Sequence, residues 1–236
     1  IEMELILIIV GVLFCLIGNT HGSCNLKNPL TDPRPIVNFK SRKWNKLITK
    51  KYDIILADCP WQYKDKASAG KRGAEFKYKV LSLKDLCDLP INNITAENSI
   101  LFFWATYPLL EDSLTVIKSW GFKYKTKGFT WVKMNKKNTK SLFWGMGNWS
   151  RSNDEVCLIG VKGKPKRQSK AVHSVVMASI QKHSRKPAEI RERIVKLCGD
   201  LPRIELFSTE VIEGWDHCGF DTGDGDIRDA IKNPVE

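Results

Sequence analysis

The stretch Tyr52-Asp-Ile-Ile-Leu-Ala-Asp58-Cys59-Pro60-Trp61-Gln-Tyr63 constrains this chain most. Tyr52 to Ala57 is a short, β-rich apolar run of the length expected for a buried strand. Pro60 has no backbone donor and biases Cys59 towards an extended conformation, so the strand must stop there. Asp58 and Trp61 are thereby placed at the carboxyl end of a strand, where open α/β sheets hold their ligands. A carboxylate, strand-end carbonyls and a flat ring suit a planar base carrying an exocyclic amine: the oxygens accept its N–H groups and the ring can stack on it. Taken alone, the same residues also describe an ordinary strand and a turn that contains Trp.

The 236 residues suit one α/β domain with a sizeable core. Lys and Arg number 38 against 26 Asp and Glu, a formal charge of +12, which favours a polyanionic partner, nucleic acid before membrane. The charge is concentrated. Ser113 to Lys140 holds eight Lys and no acid, interleaved with Trp120, Phe122, Tyr124, Phe129 and Trp131; Phe143, Trp144 and Trp149 follow. Lys162 to Lys186 holds eight more Lys or Arg, again without an acid. Basic runs interleaved with aromatics lean towards nucleic acid, where cations meet phosphates and rings meet bases. The seven Cys show no close pairing and four scattered His form no HExxH pattern, so reduced thiols inside a cell are expected and a metal is not.

Leu5 to Ile17 is nearly all apolar and has the length of a signal-peptide core, but Glu2 and Glu4 precede it and it is short for a membrane span. A secretory or membrane address stays open beside a peripheral helix or an artefactual start; otherwise the cytoplasm or nucleus is expected. The expected organisation is an apolar segment over 1–24, an irregular lead-in over 25–50, a catalytic domain over 51–222 and a polar tail over 223–236.

Within that domain, Lys64 to Lys79 reads as a basic loop over the site. Ser82-Leu-Lys-Asp85 is a capping box opening a short helix. Ser99 to Ala105 is a buried strand, and Pro108 to Trp120 an amphipathic helix ended by Gly121. Phe122 to Val132 is a strand pair or one long bent strand, and Phe143 to Trp149 a Gly-aromatic loop. Glu155 to Val161 and His173 to Ala178 are strands, Pro187 opens a helix closed by Gly199, and Arg203 to Phe207 is the last strand before a turn-rich coda, Gly214 to Gly219. Strands alternating with helices argue a doubly wound α/β sheet.

Four stretches, in order, resemble one family. Asp58-Cys59-Pro60-Trp61 is similar to the Asp-Pro-Pro-Trp signature of the S-adenosylmethionine-dependent adenine-N(6) methyltransferases related to the seventy-kilodalton mRNA methyltransferase subunit, the MT-A family. Glu155 to Pro165 resembles its Glu-x-Cys-Leu-x-Gly-x-Lys-Gly-x-Pro strand, and His183-Ser-Arg-Lys186-Pro187-Ala-Glu189 its helix start. Arg203-Ile-Glu205-Leu-Phe207 with Gly214-Trp215 and Gly219 resembles its closing segment. The likeness covers about residues 50 to 222 and is nearest in character to compact bacterial and phage members.

That resemblance implies a Rossmann-like methyltransferase fold with permuted motif order, the catalytic motif preceding the cofactor strand. It implies transfer of a methyl group from S-adenosylmethionine to the amine of adenine in nucleic acid, DNA before RNA. Asp58, Cys59, Pro60 and Trp61 would form the catalytic motif; Asp58, His183, Lys186, Glu205, Phe207, Ser208 and Asp221 would hold the cofactor. Lys186, before the Pro187 helix, would face the methionine carboxylate, and Glu205 would order either the last strand or the ribose. Arg151 to Glu155 and the loop at Met146 would line the substrate groove, with Arg151, Lys164, Lys166 and Arg167 meeting nucleic acid. Two departures stand out: Cys59 replaces the family's first Pro, and Thr209 its Arg. They keep a catalytically inactive, nucleic-acid-binding partner subunit open as an alternative, since some members work beside a second methyltransferase-like subunit. A cytosine-N(4) methyltransferase is the other alternative, disfavoured because such enzymes usually carry Ser at the position of Asp58.

Overall fold

The computed structural model describes residues 50–62, 80–138, 140–147, 149–181, 185–219 and Ile227. The N-terminal apolar segment, the basic loop from Lys64 to Lys79, His183, Asp221 and, apart from Ile227, the polar tail expected from sequence lie outside the described residues.

Strand β1 (Tyr52–Ala57) forms where the apolar run requires it and is buried on both sides. It pairs in parallel with β2 (Thr95–Ala105) on one edge and β6 (Arg203–Leu206) on the other. A strand flanked this way has little face or edge open to water, which is why its sequence is apolar throughout Ile54 to Ala57. With β3 (Lys123–Met134), β4 (Asp154–Lys162), β5 (Val175–Ser179) and β7 (Asp216–Cys218), the sheet runs β5-β3-β4-β2-β1-β6-β7. All these strands share one direction except β4, which is antiparallel to both β2 and β3.

Alternation along the strands sends side chains to two cores. Ile55, Ala57, Leu101, Phe103 and Leu206 pack under α1 (Leu83–Cys87) and α2 (Leu110–Ser119), with Trp120 closing the layer. Ile54, Leu56, Phe102 and Trp104 pack under α3 (Glu189–Cys198), through Ile190 and Ile194. Each such buried aliphatic or aromatic side chain is worth about 1.5–3 kcal/mol. The fold is therefore an α/β sheet with helices on both faces, the doubly wound, Rossmann-like class expected from sequence.

Local signals explain the helices. Ser82 Oγ accepts from the Asp85 N–H at 3.1 Å while Asp85 accepts from the Ser82 N–H at 3.3 Å, closing the capping box of α1. Gly121, at φ 82°, ends the segment after α2. The Phe122 to Val132 segment is one strand rather than two; its register with β4 slips between Tyr124 and Thr126 and between Lys127 and Phe129, the mark of a bend. The coda also contains β7, a three-residue strand, too short to carry a periodic signal.

The strand directions define two rims. The carboxyl ends of β1, β2, β3 and β6 meet the amino end of β4 at one of them. The far rim gathers the start of β1 and the end of β4, roughly 20 Å away at about 3.3 Å per strand residue.

Candidate active site at the carboxyl rim

Register brings the polar residues together. Ala57 pairs with Phe103, so Asp58 follows beside Trp104, and Trp104 pairs with Cys157, two residues inside Glu155. Leu56 pairs with Glu205 on the other flank. Asp58, Trp104, Glu155 and Glu205 share the α3 face of the sheet. Pro187 and Ala188 lead into α3, and the residue just before them, Lys186, reaches over this face.

Lys186 Nζ donates to Asp58 Oδ2 at 2.5 Å and lies 3.4 Å from Glu155 Oε2, above the Trp104 ring at 5.5 Å. Lys133 Nζ, from β3, closes on Glu155 Oε1 at 2.7 Å. Two acids and two amines thus alternate along the rim. Burial drives the Asp58 carboxyl above its ordinary range, and Lys186 offsets only part of that. Burial would also raise Glu155, but Lys186 and Lys133 outweigh it and hold that carboxyl low. Lys186 is held well above its ordinary value, because two carboxylates overcome its desolvation. The site therefore contains one firmly ionised acid and one acid poised nearer neutrality, the kind of division that marks acid–base sites. Asp58 keeps 29 % of its side chain exposed against 12 % for Lys186, so the acid faces the rim and the amine backs it.

The rest of the Asp-Cys-Pro-Trp turn is built into the core. The Trp61 N–H donates to the Cys59 carbonyl at 3.0 Å, and the Leu81 N–H to the Pro60 carbonyl at 2.8 Å. Each carbonyl keeps one further lone pair. The Cys59 thiol is buried and its ionisation suppressed by desolvation. Trp61 is only 6 % exposed and meets Phe103 edge-on at 6.2 Å. Its ring is a core aromatic here, not a platform open to a base.

On the other side of Asp58, β6 ends in a strained turn. Phe207 has φ 62°, outside the range most side chains accept. The Ser208 N–H donates to the Cys218 carbonyl at 3.1 Å, and its hydroxyl donates to the Glu210 carbonyl at 2.6 Å. A Cβ on Gly219 would stand 1.9 Å from the Ser208 carbonyl oxygen, so only glycine lets β7 close against this turn. Glu205 is committed elsewhere: Arg191 donates to both its oxygens, at 2.6 and 2.8 Å, in a buried bidentate pair. The pair ties α3 to β6.

Lys164, Lys166 and Arg167 are not brought to this site. They follow β4 at the far rim, where they line a groove of about 630 Å³ with Asp53 and Asp200. Arg151 does lie at the site rim, its guanidinium 4.6 Å from the Trp144 ring centre. Lys133 and Arg191 are the neighbours that the sequence motifs left without a named role, and Glu155, expected to line the substrate groove, stands on Lys186 and Lys133. Among the described residues no group of three or more His, Cys, Asp or Glu could hold a metal ion, and no helix is long and apolar enough to cross a membrane.

An acidic strand-end turn beside a glycine-closed turn on the neighbouring parallel strand is where the four sequence stretches converge, and the family model MT-A70 matches residues 52–221. The chain belongs to the MT-A70 family. This MT-A70 protein joins its motifs within one sheet. It is 34 % identical over 218 residues to "Type II methyltransferase M.MunI" from Mycoplasma sp, covering 85 % of this chain and 90 % of that protein. It is 23 % identical over 172 residues to "N(6)-adenosine-methyltransferase MT-A70-like" of Arabidopsis thaliana, covering 73 % of this chain but 24 % of the relative. It is 28 % identical over 161 residues to "N(6)-adenosine-methyltransferase catalytic subunit METTL3" of Homo sapiens, covering 68 % of this chain and 26 % of that protein. The MT-A70 chain thus spans nearly all of the mycoplasma methyltransferase and about a quarter of the plant and human ones.

Proposed function

We propose that this MT-A70 methyltransferase transfers a methyl group from S-adenosylmethionine to the exocyclic amine of adenine in nucleic acid, DNA in preference to RNA. The observation that carries this reading is the placement of Asp58 at the open end of β1, backed by Lys186 and flanked by the Cys59 and Pro60 carbonyls. The amine of adenine is a weak nucleophile because its lone pair is delocalised into the ring. Asp58 accepts one amine hydrogen and the spare lone pair of the Cys59 or Pro60 carbonyl accepts the other. Holding both hydrogens draws the nitrogen towards tetrahedral geometry and fixes the direction of its lone pair. One proton must leave once the new N–C bond forms, and a carboxylate whose affinity for protons is raised by burial is suited to take it.

The turns fit the cofactor. The crevice between the ends of the adjacent parallel strands β1 and β6 is the place where such sheets hold nucleotides. Phe207, Ser208 and Gly219 form a close-packed turn beside that crevice, in which a Cβ on Gly219 would strike the Ser208 carbonyl oxygen. S-adenosylmethionine, when bound, supplies an electrophilic methyl group. Lys186 orients the Asp58 carboxylate rather than standing apart from it, and His183 and Asp221 belong to the cofactor set by resemblance alone.

The DNA preference is supported by the higher identity to the type II methyltransferase, 34 % against 23 % and 28 % for the N(6)-adenosine enzymes. The test is incubation with labelled S-adenosylmethionine and oligonucleotides, single- and double-stranded, DNA and RNA, with and without adenine. Label in adenine, greatest on DNA, is expected. Label in cytosine, or no cofactor binding by calorimetry, would overturn the reading.

A further inference from the structure

The connection from β3 to β4 rises from the rim that carries Asp58, and its construction is unusual. The Phe143 N–H donates to the Lys133 carbonyl at 2.8 Å, which ties the outgoing limb to the residue whose amine holds Glu155. The two limbs then close tightly. A Cβ on Gly145 would lie 1.8 Å from the Ser152 carbonyl oxygen, and one on Gly147 would lie 2.1 Å from that of Ser150. Two glycines two residues apart face the opposite limb, so the residues alternating with them face outward. Trp144 is 70 % exposed, Met146 87 %, and Trp149 fully exposed. Single exposed hydrophobes need no explanation, but three on one glycine-locked hairpin form a patch. Arg151 covers one face of the Trp144 ring, leaving the other to solvent. From Lys133 to Asn153 the chain carries Lys133, Lys136, Lys137, Lys140 and Arg151 and no acid.

We infer that this hairpin is a stacking platform for nucleobases beside the target adenine, with Trp149 and the Arg151-backed Trp144 as its rings. The inference rests on the nucleic-acid reading above and adds to it the part that holds the strand open. A base must leave its stack to reach Asp58, and its neighbours then expose apolar faces to water. An indole next to the site covers such a face, and cation-bearing flanks meet the phosphates. The charge of the patch fits this occupant: an apolar surface ringed by amines suits a polyanion with flat hydrophobic faces. Trp61 is sealed in the core, whereas Trp144 and Trp149 stand exposed at this rim.

The test uses the full chain and a fluorescein-labelled single-stranded oligodeoxyadenylate, followed by anisotropy across a salt series. Trp149→Ala is expected to weaken binding roughly five- to a hundredfold, the worth of one stacked base. Trp149→Phe should restore most of it. The slope of log K against log salt should be unchanged, because no phosphate contact is removed. S-adenosylmethionine binding by calorimetry should match the parent in both variants. Equal affinity of Trp149→Ala and parent for the oligonucleotide overturns the platform while leaving the methyltransferase reading intact. A parent that sediments as a dimer, with Trp149→Ala a monomer of undiminished oligonucleotide affinity, overturns it in favour of a protein interface. A parent that binds neither cofactor nor oligonucleotide overturns the functional reading, and the platform with it.

Discussion

Lys186 reaches across from the start of the last helical segment to donate a 2.5 Å hydrogen bond to Asp58, 128 residues earlier in the chain. The contact joins two motifs that sequence can only place separately, and it changes the reading of the lysine. Lys186 is the counter-charge that keeps a buried carboxylate usable, set between that acid and Glu155.

Removing the acid tests this first. Asp58→Ala is expected to lower turnover on the order of 10²–10³-fold, since it deletes an acceptor aimed at the reacting nitrogen. Folding and most nucleic-acid affinity should persist. Near-normal methyl transfer by a folded Asp58→Ala protein would sink the mechanism.

The neighbours of Asp58 predict the direction of pH effects. Burial raises its carboxyl, so the acid limb of kcat/KM should lie above the ordinary carboxylate value of about 3.9. Lys186 lowers that pKa and Glu155 raises it. Lys186→Met should therefore move the acid limb to higher pH, and Glu155→Gln to lower pH. Shifts of the same sign in both variants would show that neither charge acts through Asp58.

Much of this was legible in the sequence, for reasons that particular residues make plain. Tyr52 to Ala57 had to be a buried strand because all of it but Asp53 is apolar or aromatic, and Pro60 fixed where it ends. Ser82 and Asp85 announced a helix start by chemistry that needs only three residues of context. Trp61 was different. An indole after a strand reads equally well as platform or core, and its burial against Phe103 comes only with the fold. Strand β7 was hidden by its length. Lys164, Lys166 and Arg167 were drawn to the site because loops at strand ends carry function. Direction was the missing fact: β4 runs against its neighbours, so its end lies at the wrong rim. Arg191 left a signal that could have been used, a charge on the apolar face that Ile190, Ile194 and Cys198 mark on α3. A guanidinium there demands a buried acid, and Glu205 is the acid in the last strand.

That pair makes a stability prediction. Arg191→Met leaves the Glu205 carboxylate buried without its partner and should cost about 3–5 kcal/mol. Adding Glu205→Leu removes the stranded charge and should recover most of the loss. Urea denaturation followed by far-ultraviolet circular dichroism reads both, through a midpoint shift at constant slope. A single variant as stable as the parent would mean that the pair contributes nothing.

Closure of β7 against the turn proposed to hold the cofactor rests on one hydrogen atom in place of a methyl. Gly219→Ala puts a Cβ against the Ser208 carbonyl and should force β7 away from the Phe207 turn. Calorimetry is expected to show S-adenosylmethionine affinity reduced at least tenfold, with oligonucleotide affinity nearly unchanged. Equal loss of both ligands would mean that the variant has simply unfolded locally.

Parts of the two basic runs lie at opposite rims, and salt titration can tell which one tracks phosphate. Lys136, Lys137 and Lys140 are exposed on the β3–β4 connection beside Asp58, whereas Lys164, Lys166 and Arg167 are exposed around the far groove. A strand whose adenine reaches Asp58 runs along the near rim, and the two rims are roughly 20 Å apart along the strands. Each phosphate contact contributes about 0.9 to the slope of log K against log salt on duplex DNA, or about 0.7 on single strands. Neutralising Lys136, Lys137 and Lys140 together should thus reduce the slope by roughly two to three and weaken binding about equally for all sequences. Neutralising Lys164, Lys166 and Arg167 should leave slope and turnover near the parent values on short oligonucleotides. The opposite pattern would carry the nucleic acid across the far rim, and a single short strand could then not reach the Asp58 turn without wrapping the length of the sheet.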